Sequence, residues 1–124
     1  MAEEQILVVE DNEKSMKLFR DVLQATGYRT LEASTAEAGV ELAATHLPAL
    51  VLMDVQLPGI SGVEALARLR RDERTAAIPV LALTAQAMHG DRERFLADGF
   101  DAYLSKPVDV VELLRTVGEL LTAS

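Results

Sequence analysis

Three short aliphatic runs, Ile6 to Val9, Leu50 to Met53 and Val80 to Leu83, carry no polar residue at alternate positions. A strand with one face in water alternates apolar with polar residues. Runs without alternation therefore belong to strands covered on both faces, as in a parallel sheet between helical layers. Tyr28 to Glu32 and Ala102 to Leu104 are weaker candidates, which brings the expected strands to five. Between them the apolar period changes to that of helices. Leu18, Phe19, Val22 and Leu23 form one expected stripe, and Val110, Leu113, Leu114, Val117 and Leu121 another.

The punctuation agrees with this division. Ser34 with Glu37 and Ser61 with Glu64 have capping-box spacing, and Asp109 with Glu112 is an acidic variant of it. Gly27 and Gly99 stand where helices hand over to strands, and Pro48 and Pro79 lie in loops entering strands. Strand and helix thus alternate five times. The expected fold is α/β, a doubly wound five-stranded parallel sheet with five helices in the flavodoxin-like order 2-1-3-4-5. No linker, internal repeat or low-complexity segment interrupts it.

In such sheets the binding sites lie outside the strands' carboxyl ends. Those ends carry Glu10 and Asp11, then Asp54, Thr84, and Lys106 with Pro107. Two carboxylates about 4 Å apart repel by roughly 4 kcal/mol at an effective dielectric near 20, so three together take up protons or recruit a cation. The chain has no Cys, and its two His, His46 and His89, stand apart, which leaves oxygen ligands. Oxygen-only ligation favours Mg²⁺, which binds through one or two carboxylates and shares oxygens with phosphoryl groups. The pattern points to phosphoryl transfer, with Asp54 as nucleophile, Lys106 holding a phosphoryl oxygen as a point charge and Thr84 donating a hydrogen bond to another.

Each residue alone also fits a plainer role. Glu10, Asp11 and Asn12 suit a helix N-terminus as favourable charges and a cap, Asp54 suits a turn-organising side chain, and Thr84 suits a helix cap. Tyr103 alone reads as a packed strand aromatic. The arginines at 68, 70, 71 and 74 are expected to solvate a helix face and the turn after it.

The segments ValValGluAspAsn (8–12), MetAspValGlnLeuPro (53–58), LeuThrAla (83–85) and SerLysPro (105–107) resemble the receiver-domain signature of bacterial response regulators, across essentially the whole chain. Within that family the chain is most similar to the DivK-type single-domain regulators, notably across GluAspAsnGlu, MetLysLeuPhe and AspGlyPheAspAlaTyrLeuSerLysPro. The resemblance implies that Asp54 accepts phosphate from the histidine of a sensor kinase or a histidine phosphotransfer protein. It implies that Asp11, Asp54 and the Gln56 backbone carbonyl bind Mg²⁺, with Glu10 acting mostly through water. It makes Thr84 and Tyr103 the switch, gives Lys106–Pro107 a cis bond that aims the lysine, and lets Gln56 and Gln86 tune dephosphorylation. A downstream protein would then be bound through helix 4, strand 5 and helix 5. On this reading residues 1–124 form one receiver domain without an effector domain. No turnover of an external substrate is expected.

Two other functions fit parts of the pattern. A small phosphatase of the haloacid-dehalogenase type would carry a second Asp two residues after the nucleophile, where this chain has Gln56. A phosphorylation-independent interaction module would have little use for Asp54 and Lys106. The net charge of −8, without a long basic block, opposes direct nucleic-acid binding. No stretch approaches the roughly 18 apolar residues of a membrane span. The acidic opening Met1-Ala2-Glu3-Glu4 is unlike a secretory signal, so a cytoplasmic protein is expected.

Overall fold

The computed structural model describes residues 4–57, 59–85 and 91–122. Strand and helix alternate from end to end: β1 (Gln5–Val9), α1 (Glu13–Thr26), β2 (Arg29–Ala33), α2 (Ala36–His46), β3 (Leu50–Asp54), α3 (Gly62–Arg71), β4 (Val80–Thr84), α4 (Asp91–Asp98), β5 (Ala102–Ser105) and α5 (Val110–Thr122). The five strands form one parallel sheet in the order β2-β1-β3-β4-β5. The expected architecture is the observed one.

The unalternating runs divide their side chains between two cores. Leu7, Val9, Val51, Met53, Val80 and Ala82 face α2 and α3. Ile6, Val8, Leu50, Leu52, Leu81 and Leu83 face α1 and α5. Every residue of β3 and β4 is buried, which explains why those segments carry no polar alternation.

Two stripes differ in detail from the sequence reading. In α1 the buried residues are Met16, Phe19 and Leu23, while Leu18 points outward and is 43% exposed. Positions 16, 19 and 23 follow the three- and four-residue steps of one helix face, whereas Leu18 lies about 100° from Phe19. In α5 the stripe begins at Leu113, and Val110 in the first turn is exposed. The cap of α2 is Thr35 rather than Ser34; its side chain accepts from the Ala38 amide at 3.1 Å. Ser61 and Asp109 accept from their helices' first-turn amides as expected. Gly27 (φ 110°) and Gly99 (φ 111°) take the left-handed conformation after α1 and α4.

One arginine assigned to solvent does something else. Arg70 donates to the Ala76, Ile78 and Gly99 carbonyls (3.0, 2.6 and 3.1 Å) and to Asp101 Oδ2 (2.9 Å). The same Asp101 oxygen accepts from the Val80 amide at 2.8 Å. The end of α3, the entry to β4 and the entry to β5 are thereby stapled together. Arg68, Arg71 and Arg74 are exposed and pair with Glu64 or Asp72, as a solvated face does.

Leu47 closes α2 in the left-handed conformation (φ 49°), its amide donating to the Ala43 carbonyl. That conformation costs an L-residue roughly 1–2 kcal/mol, and the side chain buries little in return, being 53% exposed. Leu47→Gly should raise the melting temperature by about 2–4 °C, after allowing for glycine's greater freedom when unfolded. Thermal unfolding by circular dichroism checks this, and an unchanged or lower midpoint would mean that the leucine's contacts outweigh the backbone relief.

Candidate functional site

The chain leaves β1 toward β2 and leaves β3 toward β4, so their connections diverge and a crevice opens at the carboxyl ends of these two neighbours. Backbone bonds carry the ladder just past the strand ends: the Glu10 amide donates to the Ala33 carbonyl, Val55 to Leu83, and Lys106 to Thr84. Gly62 permits the close return of the chain above β3, since a Cβ there would lie 2.7 Å from the Val55 Cα.

Glu10, Asp54 and Thr84 are buried at this rim, whereas Asp11 is exposed. Lys106 Nζ donates to Asp54 Oδ2 at 2.8 Å and to Glu10 Oε1 at 2.9 Å. Asp54 Oδ1 accepts from the Gln56 amide at 2.8 Å, and Glu10 Oε2 accepts from the Asn12 amide at 3.1 Å. One carboxylate oxygen each from Glu10, Asp11 and Asp54 lie within 4.8 Å of one another. The plainer roles are present too: Asn12 caps α1 by accepting from the Ser15 amide, and Asp54 does organise the turn that follows it. These roles hold the acids in place and leave the cluster intact.

Burial raises the Glu10 pKa, and the Asp54 charge adds to it against the hydrogen bonds from Lys106 and Asn12. Lys106 is also desolvated, which alone would lower its pKa. Its bonds and attraction to Asp54 and Glu10 outweigh that and raise the pKa instead. The lysine is therefore a firm cation, and the Glu10 and Asp54 carboxylates share its single charge.

The donor set is all oxygen, with one exposed member to admit water, which fits Mg²⁺. Both Glu10 oxygens already accept hydrogen bonds, which suits it to contact through water. A cleft of about 570 Å³ beside the site is lined by Glu10, Asp11, Lys17, Arg20 and Glu32, among others. It runs along α1, to one side of Asp54.

Tyr103 is half-buried in β5, packs on the core under α2 and α3, and lines a second cleft of about 410 Å³ with Leu96, Glu112 and Arg115. The Lys106–Pro107 bond is cis. Gln86 and His89 lie outside the described residues, and His46 is exposed at the end of α2. Sequence reasoning missed the direct Lys106–Glu10 pair and a bond from the Ala85 amide to Gln56 Oε1 at 3.2 Å. Both join segments far apart in the chain and have no local sequence signal.

An open parallel sheet with three acids and a lysine meeting at its switch point defines a class. The chain belongs to the response regulator receiver domain family, whose model matches residues 6–118. It is 46% identical over 116 residues, 94% of each chain, to the polar-differentiation response regulator DivK of Brucella abortus. Among solved structures it resembles the receiver domain of a Pseudomonas aeruginosa sensor histidine kinase that has a magnesium ion coordinated in its active-site cleft. That likeness has a TM-score of 0.89 and 34% identity, covering 98% of this chain and 99% of that one. A CheY-like receiver domain protein of Methanospirillum hungatei matches with a TM-score of 0.89 at 27% identity, over 98% and 96%. No helix among the described residues is long and apolar enough to cross a membrane.

Proposed function

We propose that the protein is a phosphoacceptor switch of a two-component phosphorelay, taking a phosphoryl group on Asp54 and signalling through protein binding. The observation that carries this is Lys106 Nζ at 2.8 Å from a buried Asp54 carboxylate, inside a cluster with Glu10 and Asp11. An Asp54 oxygen forms the new O–P bond as the N–P bond of a phosphohistidine breaks, the electron pair staying with the imidazole. The carboxylate attacks already ionised, so no general base is needed. A bound Mg²⁺, held by Asp11, Asp54 and the Gln56 backbone carbonyl with Glu10 acting through water, would offset the charge of the carboxylates and phosphoryl oxygens.

Lys106 then exchanges Asp54 for a phosphoryl oxygen, and Thr84, buried at the end of β4, donates its hydroxyl to another. The phosphoryl group binds these two better in one arrangement than in the other, which shifts a pre-existing equilibrium. Tyr103, on the cleft among α4, β5 and α5, couples that shift to the surface where a partner protein docks. The donor is a sensor kinase or a histidine phosphotransfer protein. The protein works in the cytoplasm and turns over no external substrate. Gln56 and Gln86, two residues after Asp54 and Thr84, govern the approach of water to the acyl phosphate.

Incubation with acetyl phosphate, with Mg²⁺ or with EDTA, followed by intact-mass measurement, tests the reading. Wild type should gain the mass of one phosphoryl group with Mg²⁺ present, and Asp54→Ala should gain none. If wild type neither gains that mass nor binds the stable mimic beryllofluoride, a phosphorylation-independent interaction module takes the proposal's place.

A further inference from the structure

Consecutive residues of a strand send their amide and carbonyl groups to opposite sides. Leu83 faces β3, because its carbonyl accepts from the Val55 amide at 3.0 Å. Thr84 faces β5, because its carbonyl accepts from the Lys106 amide at 2.7 Å. The next amide, that of Ala85, therefore turns back toward the end of β3, where Asp54 stands. It is a donor past the end of the sheet, with no strand residue to take it. Gln56 Oε1 takes it at 3.2 Å.

Gln56 thus serves the site twice. Its own amide donates to Asp54 Oδ1, and its side chain reaches across to Ala85. The side chain is exposed, so the bond competes with water and costs rotamer freedom. A phosphoryl oxygen on Asp54 would be an anionic acceptor, and charge-assisted bonds are roughly twice as strong as neutral ones. The amide would exchange one acceptor for the other.

We infer that the Gln56 carboxamide is a latch, occupying on the Ala85 amide the place that a phosphoryl oxygen takes when Asp54 is modified. This rests on the phosphoacceptor reading above. Uptake of the phosphoryl group and release of Gln56 are then one event. The Ala85 amide passes from the Gln56 side chain to the phosphoryl group, next to the Thr84 hydroxyl that donates to the same group. The latch holds the unmodified arrangement, and its strength sets how much of the phosphoryl group's binding is spent on displacing it.

The test uses the full chain with Mg²⁺ and beryllofluoride, which does not hydrolyse, so any effect of Gln56 on water's access to an acyl phosphate drops out. Gln56→Leu and Gln56→Ala remove the acceptor, and each should bind beryllofluoride about two- to tenfold more tightly than wild type. By NMR, the Ala85 amide should exchange with solvent faster in both variants before the mimic is added. Gln56→Glu keeps an oxygen at the same reach and should slow that exchange again. Wild-type affinity together with an unchanged Ala85 amide in Gln56→Leu and Gln56→Ala would overturn the latch and leave the phosphoacceptor reading standing. Failure of wild type to bind the mimic would overturn that reading, and the latch with it.

Discussion

Lys106→Met is expected to lower the melting temperature by about 10 °C at neutral pH and to weaken beryllofluoride binding about ten- to hundredfold. The lysine is the cation that Glu10 and Asp54 share, at 2.9 and 2.8 Å, and those two side chains are 0% and 4% exposed. Removing one partner of a buried pair costs about 3–5 kcal/mol; the lower figure applies here because Lys106 is 22% exposed and water can enter. The loss should depend on pH with a definite sign. Glu10 already has a raised pKa through burial and the nearby Asp54 charge, and without Lys106 the rise grows. A carboxyl whose folded pKa is raised binds more protons folded than unfolded. The deficit is therefore small below the ordinary value of 4.5 and increases as pH climbs toward the folded value. Melting curves between pH 4 and pH 7, with and without Mg²⁺, measure it. Equal losses at both ends would mean that the lysine stabilises the fold by packing instead of by charge.

Arg70→Ala should cost about 2–3 kcal/mol, seen as a fall of about 8 °C in the melting temperature, although the residue lies at the amino end of the strands, opposite the site. Its guanidinium satisfies three carbonyls and Asp101, and the last of these also accepts the Val80 amide at the entry to β4. Truncation strips four acceptors at once. Asp101→Asn keeps an oxygen for Val80 and loses only the charge, so it should cost less than half as much. Arg70→Lys should fall between, because a single ammonium cannot span a fork of acceptors. A loss no larger than that of Arg68→Ala, whose partner is the exposed Glu64, would show that the staple contributes nothing beyond a surface pair.

Arg70 also marks where the sequence stops being readable. In the chain it is one of four arginines in a polar stretch, and nothing in that stretch distinguishes the one whose acceptors lie six to 31 residues away from three that face water. Leu18 and Met16 are a milder case. Both fit a helical apolar pattern, and the side of α1 that meets the sheet is decided only when β1 and β3 supply Ile6, Val8 and Leu52 beneath it. Ser34 and Thr35 are both competent caps, and the exact turn at which α2 starts follows from its docking under Val9, against which Gly39 sits without a side chain.

The sequence by itself determined that the sheet is parallel and covered on both faces, because burial of both sides leaves no polar alternation in β1, β3 and β4. It also determined which residues stand on the carboxyl-end rim, because once the apolar runs are fixed, the next residue of each is fixed too. Only the tertiary structure decided which atoms meet there. Lys106 reaches Asp54 and Glu10 across 52 and 96 residues, and Ala85 reaches Gln56 across 29. Such contacts are made or lost over about an ångström, a distance set by how β1, β3, β4 and β5 register against one another. That register is a property of the packed sheet as a whole, which no local stretch of the chain encodes.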